Sequence, residues 1–290
     1  TGGACRASNY VPLLRKALDE AGFSQVNIIA MNSADERHGV KMKLSAKALL
    51  RSVFGLLYGD MLMRLVMATR PYERVKGDAN ALMERWSAVC KSSLERGMVT
   101  KFSSNIREMV AAFASLPMVG EKKPKIGIVG EILAKYNPDA NDGLVGIIED
   151  EGGEAVVGDL ANFLMYCLYD PVYQCQKLSG SFFAALAGRS GITFLEWLRT
   201  PLKKALAGTR FGEVEGIDAL AQKAATMVSC GIQAGEGWLL AAEMISFLDE
   251  GVKNIICVQP FGCLPNHITG KGVIKELKRR YSGANILPLD

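Results

Sequence analysis

The sequence predicts an α/β protein, a parallel-sheet domain preceded by a partial, largely helical α/β domain. Three observations point there. Across residues 121–290, short apolar runs such as "KIGIVG" and "EAVVG" end in glycine and alternate with helical segments, the pattern of strands covered on both faces by crossover helices. Between residues 43 and 114 apolar positions recur every three or four residues, a helical period. The stretch "SLPMVGEKKPK" (115–125) separates the two patterns with two prolines, a glycine and a charge run, and reads as a linker. The domains are therefore placed at 1–120 and 121–290.

Taken in order, Gly2 to Asn9 is a Gly-rich loop, and Ser8 or Asn9 caps a helix carrying Val11, Leu14 and Leu18 before Gly22 stops it. "QVNIIAMN" (25–32) reads as a short buried strand. Helix followed by strand is half of an α/β unit, so the element before it is expected to be missing. Met42, Leu44, Leu49, Leu50, Phe54, Leu57, Met61 and Leu65 then mark a helix, and Trp86, Cys90, Ile106, Val110 and Phe113 continue the theme beyond Pro71. Residues 98–104 divide two helices. After the linker come a strand at 125–132, a helix at 142–153, a strand at 154–160 and a helical excursion from Ala161 to Ala207. Helices "GIDALAQKAATMV" and "GEGWLLAAEMISFLDEG" follow, then strand "NIICVQ", a helix at 273–281 and a last strand, "ANILPLD".

Composition narrows the function classes. The chain has 290 residues, 49% of them hydrophobic, with 30 glycines, enough to bury two ordinary cores. Its net charge of +4 is small and scattered, and "KELKRR" lies on one predicted helix face, so nucleic acid is not an expected partner. The most lipid-like window, Ser52 to Ala68, is broken by Asp60 and Arg64 and falls short of the roughly 20 apolar residues a membrane span needs. Seven cysteines (5, 90, 167, 175, 230, 257 and 263) form no CxxC pair, which fits reduced thiols in a cytoplasmic protein.

In an open parallel sheet, ligands sit beyond the carboxyl ends of the strands. Gly130-Glu131, Gly158-Asp159 and the Pro260 to Gly272 loop have that placement. Cys5 and Cys263 are both loop thiols near helix starts, where backbone dipoles favour thiolate, the form that binds metal. Burial as a small apolar side chain accounts for Cys257 and Cys90 and leads for Cys167 and Cys175; Cys230, before "GIQAGEGW", stands between the two readings. His267 is read first as a structural hydrogen-bonding group and second as a ligand or proton donor, and His38 as a solvated surface residue. Glu236 precedes the helix near Trp238, so capping comes first and substrate contact second. The spacing around Lys271 is wrong for a P-loop, and "GIVGEI" lacks GxGxxG.

The stretch "CVQPFGCLPNHITGKGVIKELKRRY" (257–281) resembles the signature of the 2-hydroxyacyl-CoA dehydratase superfamily. More narrowly it is similar to activase-related proteins, in which a dehydratase-like module accompanies an ATP-dependent activator domain. "GACRASNY", "KIGIVGEI" and "GEGWLLAAEMI" resemble the same group in the same order. The resemblance implies flavodoxin-like or Rossmann-like domains and an iron–sulfur cluster, [4Fe–4S] or double-cubane, held by cysteines from different loops. It implies an activator partner, an acyl-CoA substrate in the dehydratases themselves, and pairing of subunits, hence a homodimer. By position Cys5 and Cys263 match the family's ligands, with Cys230 the candidate for a third. Asn266, His267 and Glu236 would contact the cofactor or tune it by hydrogen bonds. The activator's ATP-binding segments are absent. The chain is accordingly expected to be the C-terminal part of a larger protein, inactive and without a cluster on its own. The alternative is a non-redox binding or regulatory module for CoA, a nucleotide or a partner domain.

Overall fold

The computed structural model describes residues 9–28 and 45–290. Helix α1 (Tyr10–Glu20) begins after Asn9, whose side chain makes no capping hydrogen bond. Of the strand expected at 25–32, residues 25–28 are turn or irregular, and the remainder lies outside the described residues, as do Cys5 and His38.

Helix α2 (Ala46–Thr69) starts where Ser45 accepts the Ala48 N–H at 3.1 Å, a helix cap. Its apolar residues run nearly all round, because partners surround it. One side packs on α3 (Asp78–Glu95) and α4 (Phe102–Ala114), separated by a 3-10 turn at Val99–Lys101. There Phe54 and Tyr58 meet the Phe102 ring edge-on at 4.8 Å, over fully buried Ile106, Met109 and Phe113. Each such side chain contributes about 1.5–3 kcal/mol by leaving water.

The sheet contains β1 (Lys125–Gly130) and β2 (Glu154–Val157), between which lie α5 (Ile132–Tyr136) and α6 (Leu144–Asp150). Helices α7 (Leu160–Lys177), α8 (Phe182–Leu198), α9 (Thr200–Leu206), α10 (Ile217–Ala225) and α11 (Trp238–Asp249) precede β3 (Asn254–Val258). Helix α12 (Ile274–Arg280) and β4 (Asn285–Leu289) complete the chain. All pairings are parallel, in the order β2-β1-β3-β4, with Ile128 in register with Val157 and Ile256. This is the expected α/β sheet, with the flavodoxin-like strand order.

Helix α11 sits between layers. Ala241, Met244, Ile245 and Leu248 pack toward Val129 and Ile255 of the sheet, while Trp238, Leu239 and Ala242 pack against Met165, Tyr166 and Ile217. Gly127 lets it approach: a Cβ there would come within 2.5 Å of the Phe247 ring. The opposite face is covered by Ala134, Leu144 and Ile148, with Met63 and Met67 of α2. The helical layer is tied to α6 by Arg70, which binds Glu149 through both carboxylate oxygens at 2.6 and 2.9 Å, and to β2 by Tyr72, whose hydroxyl donates to Glu154 at 2.8 Å. Its core also runs on into Leu198, Leu202, Leu206 and Phe211. Among the described residues no helix is long and apolar enough to cross a membrane.

The segment after β3 departs from expectation. A helix was expected from residue 273, yet the chain is helical from Leu264, through a π-helical turn at Asn266–Gly270 and a 3-10 turn at Lys271–Val273, into α12. Neither Gly270 nor Gly272 breaks it.

Candidate functional site at the strand ends

The strand order reverses between β1 and β3, the switch point at which sheets of this kind bind ligands. Gly130, at the end of β1, has φ +142°, and a Cβ there would lie 1.8 Å from the Val258 carbonyl. Only glycine fits this close approach. The next residue, Glu131, donates its N–H to that carbonyl at 3.0 Å and caps α5 by accepting the Ala134 N–H at 2.9 Å.

Glu236 enters from the loop before α11 and is buried. Sequence reasoning assigned it first to capping α11, but that helix has Gly237 at its cap and no side-chain capping bond. Glu236 instead accepts the Ile132 N–H at 3.1 Å, the first amide of α5, more than a hundred residues away in sequence. Its other carboxylate oxygen accepts from Asn266 Nδ2 at 3.4 Å, and the same Nδ2 lies 3.2 Å from Cys263 Sγ. Burial pushes the Glu236 carboxyl above the usual range, and the Ile132 N–H works against it.

Cys263 is buried at the start of the helical run. Its carbonyl accepts the His267 N–H at 3.0 Å and sits 2.8 Å from His267 Nδ1. The Asn266 amide thus presents the positive end of its dipole to the sulfur. His267 is exposed and makes a structural hydrogen bond, the first of the two roles the sequence suggested. Asn266 is fully buried, and its Oδ1 has no hydrogen-bond partner among the described residues. In the same segment Phe261, Leu264 and Ile268 are exposed, Phe261 by 83%. The cavity beneath, lined by Ile132, Lys135, Tyr136, Phe163 and Glu236, holds about 10 Å³, too little for a substrate.

The structure thus brings Cys263, Asn266, His267 and Glu236 together. It does not bring Cys230 to them. The Cys230 sulfur donates to the Ala221 carbonyl at 3.4 Å and packs in the cluster shared by α7, α10 and α11, where burial raises its pKa. Cys257 lies nearer than its strand position suggested. A Cβ on Gly270 would stand 3.0 Å from Cys257 Sγ and 3.7 Å from Asn266 Oδ1, and burial pushes the Cys257 thiol up to about 12.

A second buried polar network adjoins these loops; the sequence marked only the strand-end position of Asp159 and the charges of Asp60 and Arg64, not their partners. Lys135 donates to both oxygens of Glu243 at 2.7 and 2.8 Å, and the Tyr136 hydroxyl donates to the Gly158 carbonyl at 2.7 Å. Asp159 accepts from Arg64 at 2.7 Å and Arg199 at 3.3 Å. Burial opposes its charge, yet the two guanidiniums hold its carboxyl below the usual value. Asp60 accepts the Leu160 and Ala161 N–H groups, both at 2.9 Å. Burial, then the Asp159 charge, raises its pKa to about 7.

No family model, curated protein or solved structure matches the chain. The test of an iron–sulfur site therefore rests on its donors. Among the described residues no group of three His, Cys, Asp or Glu side chains is placed to hold a metal ion. Clusters take several thiolates, and the strand ends offer Cys263, with Cys257 sealed in the core. The described residues alone do not make a cluster ligand set.

Proposed function

We propose that the chain is a dehydratase-like electron-transfer module acting with an ATP-dependent activator, with Cys263 as the thiolate through which it takes part in an iron–sulfur site. One observation carries this reading. Three segments that resemble the family, "KIGIVGEI", "GEGW" and "PFGCLPNH", meet at Glu236, which accepts the Ile132 N–H and the Asn266 amide that also faces Cys263. Packing alone does not require three sequence-distant segments to share one buried carboxylate at the switch point. The exposed side chains of Phe261, Leu264 and Ile268, in the same segment as Cys263, give a partner domain an apolar contact. In this reading the other thiolates come from segments outside the described strand-end loops, Cys5 among them.

A second reading, a non-redox binding or regulatory module for CoA, a nucleotide or a partner domain, is favoured by the donor set, since among the described residues no group of three His, Cys, Asp or Glu side chains gathers around Cys263. Anaerobic reconstitution with iron and sulfide, on the protein together with the segments that carry its other thiolates, separates the two. The first reading expects stoichiometric iron and visible absorption in the wild type and loss of both in Cys263→Ala. A colourless wild type, or iron content that Cys263→Ala leaves unchanged, decides for the second.

A further inference from the structure

An open cleft of about 620 Å³ lies between the end of α3 and the start of α4, and none of its lining residues belongs to the sheet or its loops. That volume suits a small organic ligand. Three cations line it, Arg85, Arg96 and Lys101, against one carboxylate, Glu108. None of the three makes an ion pair among the described residues, whereas Arg64, Arg70, Lys135, Arg199 and Lys223 each hold a carboxylate. A fourth cation stands behind the same turn. A Cβ on Gly97 would lie 2.8 Å from Arg51 Nη2, and the Arg51 Nε–H is buried without an acceptor. The Arg51 charge, behind Gly97, adds to the positive field of the cations beside that turn. Alongside the charges, Ala88, Val89 and Met98 form an apolar wall, with Val89 and Met98 exposed.

We propose that this cleft binds an organic phosphate. The phosphate groups engage Arg85, Arg96 and Lys101, as clustered Arg and Lys side chains do through charge-assisted hydrogen bonds, and the organic part lies on Ala88, Val89 and Met98. The site is independent of the strand-end cluster and of the function assigned to it. ADP and inorganic pyrophosphate are the probes, titrated by calorimetry into the whole chain at low and at physiological salt. Saturable ADP binding is expected, at least tenfold tighter than pyrophosphate and weakened by salt. The double variant Arg96→Gln/Lys101→Gln should lose at least tenfold in ADP affinity with an unchanged melting temperature. Arg96→Lys/Lys101→Arg, which keeps the charge, should retain binding. Absence of saturable ADP binding, equal affinity for the two probes, or binding that the charge-removing variant leaves intact would each overturn the proposal.

Discussion

Gly237 and Gly251 both have positive φ, +44° and +81°, and comparing their alanine variants isolates the steric demand at the site. At Gly251, after α11, a Cβ would meet nothing within 4 Å. Gly251→Ala should therefore cost only backbone strain, about 1 kcal/mol. At Gly237 the backbone (φ +44°, ψ −128°) lies outside the left-handed helical well, a strain of about 1–3 kcal/mol. A Cβ would also fall 2.1 Å from the Ile232 carbonyl and 2.4 Å from the Tyr166 hydroxyl. The tyrosine can swing, but the Ile232 carbonyl is backbone, and Trp238 beside it is fully buried against Tyr166 and Tyr169. Overpacking adds about 1–3 kcal/mol. Gly237→Ala should thus cost roughly 2–6 kcal/mol, a large part of a typical domain's stability. Urea denaturation at neutral pH reads both numbers. Equal losses in the two variants, within about 0.5 kcal/mol, would show that the loop holding Glu236 yields freely, and the steric reasoning would fail.

Lys135→Met strands the Glu243 carboxylate in the core and should cost about 3–5 kcal/mol, while Lys135→Met/Glu243→Leu should return to within about 1 kcal/mol of the wild type in urea denaturation, since an apolar pair needs no charge compensation. A single-variant loss below 1 kcal/mol would mean that water reaches the pair. Asp60 makes stability depend on pH. Its folded pKa is raised to about 7, so the folded protein keeps a proton that the unfolded chain releases. That contribution is complete below the unfolded carboxylate value and is lost as pH rises through about 7. Relative to Asp60→Asn, the wild type should gain stability on acidification from pH 8 to pH 5, by at most about 1.4 kcal/mol per pH unit. Parallel profiles for the two proteins would exclude Asp60 as the titrating group.

The sheet was legible because its strands are short apolar runs punctuated by glycine, and because α11, apolar on every side, can only lie between layers. The buried charges were not. Lys135 sits in "EILAKY", a segment too short to display a helical period, and a lone lysine reads as solvated unless its acid partner, here 108 residues away, is known. Arg199, 0% exposed, looks like any helix-surface arginine for the same reason. Glu236 was misassigned because proximity in sequence favours capping the next helix, whereas the tight turn at Gly237 aims the side chain at α5 instead. Cys263 was legible as a thiol at a helix start. That the start lies at Leu264 was not, since Gly270 and Gly272 ordinarily mark a break.

The π-helical turn at Asn266–Gly270 carries one more residue than an α-helical turn would. The Lys271 N–H reaches back five residues to the Asn266 carbonyl. That residue sets the phase between two ends of one helical run: Leu277 faces the hydrophobic core while Asn266 faces Glu236. Regular winding would rotate one end against the other by about 100°, so that seating Leu277 would turn the asparagine away from both the carboxylate and the sulfur. A deletion of one residue within this turn would leave the sheet's composition untouched and uncouple the thiol from its neighbours.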